Sequence, residues 1–233
     1  TRLRNIDALK APDAGRIRHG GRDLAAVLPE ARNTGLAFQS LLVYPHLDVA
    51  GNVRMAAEAG GARGRDRADR IEQSLAATGL AGIAGRPAAV LSGGQLQRLA
   101  LARMLARRPR VCLLDEPLAH LDPEARLHLR ELLAGLRAAE RVVLLVTHDA
   151  GEAMRLADRL AILGPEPDAP GSSILAEGHP AALAEDPPSL AAADATGLEP
   201  VNLLPVALVA AHPELLATPP APRAAAHLAV RPE

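Results

Sequence analysis

Residues 91–117 read LSGGQLQRLALARMLARRPRVCLLDEP, and the fold turns on this stretch. Ser92-Gly93-Gly94 stands before a helical pattern, so a hydroxyl and unshielded backbone N–H groups meet at a helix N-terminus, a combination that suits an anion such as a phosphate. Val111-Cys112-Leu113-Leu114 has no polar alternation, as expected of a strand covered on both faces. It ends in Asp115-Glu116-Pro117, two adjacent carboxylates at the C-terminal end of a strand, the edge at which open α/β sheets bind their ligands. An Asp there suits a hard cation held through water, and a Glu beside it suits proton abstraction from an attacking water.

Outward from this stretch, short apolar runs alternate with longer amphipathic ones. Gly35 to Phe38 and Val142 to Thr147 have the character of strands, whereas Ala68 to Gly79, Leu96 to Ala106 and Ala125 to Ala138 have that of helices. The alternation predicts α/β layers around a mainly parallel sheet, with Val111–Leu114 and Val142–Val146 at its centre. Arg63 to Arg70 mixes both signs of charge and fits a solvated loop and helix start. From Gly164 to Ser173 the Pro and Gly density marks a turn or loop before a strand at Ile174 to Ala176.

The 233 residues carry 26 Lys plus Arg against 27 Asp plus Glu, a net charge of −1 that disfavours a strongly basic nucleic-acid binder. Phe38 and Tyr44 are the aromatic residues, so the core rests on Leu, Val, Ile and Ala. Cys112 stands alone, which excludes an intrachain disulfide and a Cys-rich metal site and suits a reducing compartment. No apolar run approaches the roughly 18 residues that span a bilayer.

Leu91 to Gln95 resembles the signature motif of ATP-binding cassette (ABC) ATPases, and Val111 to Glu116 is similar to their Walker B strand, with matching order and spacing. Leu118 to Asp122 resembles their D-loop, Val142 to Asp149 their switch-histidine strand, and Phe38-Gln39-Ser40 followed by Tyr44-Pro45-His46-Leu47 the Q-loop of importer-type members. The resemblance implies an ABC ATPase domain over 1–190, with a helical subdomain at about 50–105, and a partial OB-like regulatory region over 198–233. It further implies ATP and Mg²⁺ as cofactors. Asp115 and Gln39 would serve the metal, Glu116 would be the general base, and His148 would contact the γ-phosphate. Ser92, Gly93, Gly94, Gln95 and Asp122 would act on nucleotide held by a second ATP-binding subunit in a head-to-tail dimer. Membrane-spanning permease subunits would be the other partners, with the chain peripheral on the cytoplasmic face of the inner membrane. Ala119 stands where that D-loop often has Ser.

A Walker A loop, GxxxxGK[ST], wraps phosphates in backbone N–H groups and sets a lysine on them. The lysine of this sequence is Lys10, between Leu9 and Ala11, outside any such motif. Thr1 to Ile6 resembles the helix that follows Walker A, so the resemblance implies an N-terminally truncated ATPase. Two alternatives stay open at this stage, a catalytically inactive fragment of such a subunit and a nucleic-acid-associated ABC ATPase. The charge, the absence of a coiled-coil insertion between Gln39 and Leu91, and Tyr44-Pro45-His46-Leu47 weigh against the latter. Without the loop, several charge-assisted hydrogen bonds of about 1.5 to 3 kcal/mol each are missing. Residues 1–233 alone are therefore expected to bind Mg-ATP no tighter than about millimolar and not to hydrolyse it. Calorimetric titration checks this, and a micromolar dissociation constant would mean that another segment supplies the phosphate contacts.

Overall fold

The computed structural model describes residues 3–7, 10, 12, 14–37, 43–119, 121–138, 141–165, 172–196, 202–205 and 227–230. They form two compact units, Thr1–His148 and Asp149–Glu233.

The first unit begins with a short helix, α1 (Leu3–Ile6), and a hairpin of β1 (Arg18–His19) and β2 (Arg22–Asp23). Gly20 and Gly21 close that hairpin with φ of +55° and +78°, the left-handed pair that a two-residue turn demands and that glycine adopts without a Cβ penalty. Next comes β3 (Thr34–Ala37), then α2 (Val49–Ala59), α3 (Gly64–Ala77) and α4 (Gly93–Ala106). The strand β4 (Val111–Asp115) follows, then α5 (Pro123–Ala138) and β5 (Val142–Val146). The sheet runs β3-β4-β5 with every pairing parallel, Thr34 opposite Val111, and Asp115 opposite Val146.

This is the α/β arrangement that the apolar runs predict, and β4 sits at its centre, with Val111 to Leu114 all buried. β5 departs from the expectation of a strand covered on both faces. Among the described residues it pairs only with β4, and Val142 and Leu144 are 56% and 41% exposed. Leu3 is buried beside Val111 and Leu113, on the face to which the register also assigns Val142 and Leu144, with Ile6, Leu36 and Val146 against that cluster. α5 packs on β5 through a stripe of buried residues at Ala125, Leu129, Leu133 and Leu136, which is helical spacing.

α2, α3 and α4 enclose a second apolar cluster built on Val49, Val53, Ala57, Leu75, Leu80, Leu99 and Ala102. The charge-mixed stretch after Arg63 is helical from Gly64 onward, and Arg70 pairs with Asp66 one turn back at 2.9 Å. α4 also reaches the sheet. A Cβ on Gly35 would lie 2.6 Å from Pro109 Cγ and 2.8 Å from Met104 Cγ, so glycine in β3 is what lets the end of α4 approach the strand this closely.

In the second unit, Asp149 caps α6 (Ala150–Leu156) by accepting from Glu152 N. The hairpin of β6 (Leu160–Pro165) and β7 (Ser172–Gly178) follows, with a register shift between Ile162 and Leu163. Helices α7 (Pro180–Glu185) and α8 (Leu190–Thr196) close a small core of Ile162, Ala176, Leu183 and Ala192. β8 (Asn202–Pro205) and β9 (His227–Val230) form a separate antiparallel pair.

Asn52 on α2 is completely buried, and its amide is fully employed. Oδ1 accepts from Tyr44 N at 2.8 Å, while Nδ2 donates to Tyr44 O at 2.9 Å and Asp48 O at 3.0 Å. A carboxylate here could still accept from Tyr44 N but would face the two carbonyls with no hydrogen to give. Asn52→Asp should therefore destabilise the protein by about 3 kcal/mol at pH 7. Those carbonyls raise the native-state pKa of the new carboxyl, so stability should return as pH falls toward about 5 and the group is protonated. Denaturant unfolding at both pH values measures this.

Candidate active site

β4 and β5 deliver the chemistry-bearing residues to one sheet edge. Asp115 is the last residue of β4 and is half-buried, in register with Val146. Glu116, one step beyond, continues the ladder by donating its N–H to Val146 O at 2.9 Å. Its φ of +53° lies in the left-handed region, which among the described non-glycine residues only Asn33 and Arg108 share. For a residue with a Cβ this conformation costs about 1 kcal/mol or more, so surrounding contacts must hold it. The consequence is directional: the Glu116 side chain turns toward the residues that follow β5. Its Oε2 lies 2.9 Å from His148 Nδ1 and accepts from Thr147 Oγ1 at 3.4 Å. The carboxylate is only 17% exposed, whereas the His148 side chain is 82% exposed. A sheltered carboxylate thus stands beside an exposed imidazole.

The other contribution comes from the start of α4. Ser92 Oγ accepts from Gln95 N at 3.3 Å, and Gln95 Oε1 accepts from Ser92 N at 3.0 Å, a reciprocal capping box. Gln95 is thereby committed to its own helix end. Ser92 and Gly93 are exposed, and a Cβ on Gly93 would meet no atom within 4 Å. No described neighbour crowds that glycine. Asp122 also serves as a helix cap: its Oδ1 accepts from Ala125 N at 2.8 Å at the start of α5.

The structure thus brings Glu116 and His148 together, sets Asp115 beside them in sequence at the strand end, and holds Ser92 to Gln95 as a separate helix cap. Gln39, with Phe38 and Ser40, lies outside the described residues. Two participants were absent from the sequence reading. Thr147 bonds Glu116 directly, and Gln97 donates from Nε2 to Glu116 O at 3.0 Å and Pro117 O at 2.8 Å. The signal for Thr147 was its place next to His148. For Gln97 there was none, since it stands between Gln95 and Arg98 at a helix start that is polar around it.

Tyr44 is exposed, and its ring is braced by two neighbours. The Arg103 guanidinium of α4 lies 4.5 Å from the centre of the Tyr44 ring, and the His46 ring is 5.9 Å from it. Burial pulls Arg103 below the usual guanidinium range, opposed by Tyr44.

The residues present fit part of a Mg-nucleotide site. A strand-end carboxylate, a sheltered base and an exposed imidazole suit the metal and the hydrolytic side, whereas a lysine-bearing phosphate loop is not contained in these 233 residues. A parallel sheet with a carboxylate-tipped central strand and a helical cluster carrying a glycine-rich cap defines an ABC-type ATPase fold. Residues 1–119 match the family model for ABC transporters, and the chain belongs to that family. The curated relatives it matches are import ATP-binding proteins.

A spermidine/putrescine import ATP-binding protein of Frankia alni is 44% identical over 167 residues, covering 70% of this chain and 35% of that protein. A maltose/maltodextrin import ATP-binding protein of Yersinia pestis is 37% identical over 214 residues, covering 91% and 56%. The chain thus spans between a third and somewhat over half of these relatives' length. Among solved structures, an ATP-binding cassette captured as a dimer in a post-hydrolysis state with ADP and Pi superposes with a TM-score of 0.62. It is 27% identical and covers 69% of this chain and 73% of that one.

Proposed function

We propose that this chain carries the hydrolytic and dimer-completing part of the ATP-hydrolysing subunit of a membrane importer for a small solute. The observation that carries this reading is the constellation at the end of β4 and β5, in which Glu116, held in a left-handed conformation, points its carboxylate at Thr147 and His148.

In this reading Glu116 is the general base. Oε2 is engaged by Thr147 and His148, which leaves Oε1 to take the proton of an attacking water. The Val146 bond fixes the backbone from which that oxygen projects. His148, exposed and braced by Glu116 through Nδ1, would as an imidazolium donate from Nε2 to a phosphoryl oxygen in the transition state. Asp115 would hold Mg²⁺ through water, and the metal when bound neutralises charge on the phosphates. Gln39 would act with it.

Ser92, Gly93 and Gly94 would present the α4 N-terminus to nucleotide held by a second subunit, for which the open space over Gly93 leaves room. Asp122 would belong to the same head-to-tail interface. The related cassette was captured as a dimer with ADP and Pi, which supports this arrangement. The Tyr44–His46 segment, aromatic in a chain with almost no aromatics, would meet a membrane-spanning permease subunit at the cytoplasmic face of the membrane. Among the described residues no helix is long and apolar enough to cross the membrane itself. The two relatives import chemically unrelated solutes, a polyamine and a maltodextrin, which argues that solute choice lies outside the segment they share with this chain.

In the full gene product, Glu116→Gln should lower ATP turnover by about 10² or more, the loss expected of a missing base; unchanged steady-state turnover would remove the assignment. A second measurement addresses the partner. Cysteine at His46 in the assembled transporter should crosslink to a permease subunit, and the absence of any such product would count against that contact. Native Cys112 will contribute little background, because it is fully buried and burial pushes its thiol up.

A further inference from the structure

Gln97 lies on α4 one turn beyond the Ser92 cap and is half-buried. Its Nε2 donates to the carbonyl oxygens of two consecutive residues, Glu116 and Pro117. Both partners only accept, so the position calls for a donor with two hydrogens in one plane, which a primary amide supplies. The first of these carbonyls belongs to the peptide that leaves Glu116, and the peptide that enters it is held by Val146 O. The backbone is therefore gripped on both sides of the one active-site residue with left-handed φ. Among the described residues, the other bond to Glu116 O comes from Ala119 N at 3.2 Å, inside the same turn and unable to anchor that turn to another element. Gln97 is what ties it to α4.

We infer that Gln97 is a positioning residue for hydrolysis: it locks the left-handed turn at Glu116 and so aims the carboxylate at His148 and the attacking water. The inference rests on Glu116 being the base. Without the amide, the turn can relax toward a conformation ordinary for a residue with a Cβ, which swings the Cα–Cβ bond and carries the carboxylate away from Thr147 and His148.

The test is single-turnover ATP hydrolysis by the full gene product bearing Gln97→Ala or Gln97→Glu, the latter matching the shape while removing the donor. Each should slow the chemical step about 10- to 100-fold, the loss expected of a base misplaced by around an ångström. ATP affinity should stay within about threefold, since the ground state is bound elsewhere. The decisive arm is the double variant. If Gln97 works through Glu116, adding Gln97→Ala to Glu116→Gln costs nothing further, within about twofold; if it serves only packing, the two losses multiply. Multiplying losses, or a normal rate in both Gln97 variants, overturn the inference while leaving Glu116 as base. Normal turnover in Glu116→Gln alone instead removes the base assignment and this inference with it.

Discussion

The parallel pairing of β4 between β3 and β5 is the constraint on which the rest of this molecule depends. Parallel strands cannot be joined by a tight turn, so each must be reached by a crossover that packs on the sheet or beside it. Between β3 and β4 that crossover is α2, α3 and α4; between β4 and β5 it is α5. Because all the strands point the same way, every strand end with useful chemistry arrives at the same edge. Asp115 and Glu116 from the end of β4 arrive there beside Thr147 and His148, which follow β5.

The crossover through α4 gives that edge a second connection. The helix begins at the Ser92 cap, meets the Glu116–Pro117 turn through Gln97, and comes down on β3 where Gly35 leaves space for Met104 and Pro109. One rigid element therefore carries the glycine-rich cap, braces the residue read as base, and packs on the sheet. The same helix holds Tyr44 from its other end through Arg103, and Asn52 fixes the backbone of that segment from α2. The features proposed to meet nucleotide and permease are thus joined by a packed helix, which suits the proposed function.

Much of this was legible along the chain. Val111 to Leu114 is continuously apolar because it is buried on both faces, and such a run followed by Asp-Glu can be recognised without any coordinates. Ser-Gly-Gly-Gln before a helical pattern carries its own cap chemistry, and the capping box of Ser92 and Gln95 is a purely local structure. Motif order then identified the family, since spacing between these segments reflects the crossovers. β5 was less transparent: Val142 to Val146 has the same apolar composition as β4, yet Val142 and Leu144 are exposed, because composition reports what a strand could bury and not what stands beside it.

The sequence by itself determined the local pieces: which runs become strands, where α4 is capped, and which carboxylates, imidazole and amides are available. Their partnerships were decided only in three dimensions. Nothing along the chain assigns Gln97 to carbonyls 19 and 20 residues away, or Thr147 to Glu116 31 residues back. The left-handed turn at Glu116 is likewise invisible in sequence, since glutamate has no local preference for it and adopts it where contacts from α4 and β5 outweigh the strain. Local hydrogen bonds and apolar periodicity are set by neighbours along the chain, whereas the aim of the Glu116 carboxylate is set by elements that become neighbours only when the parallel sheet closes.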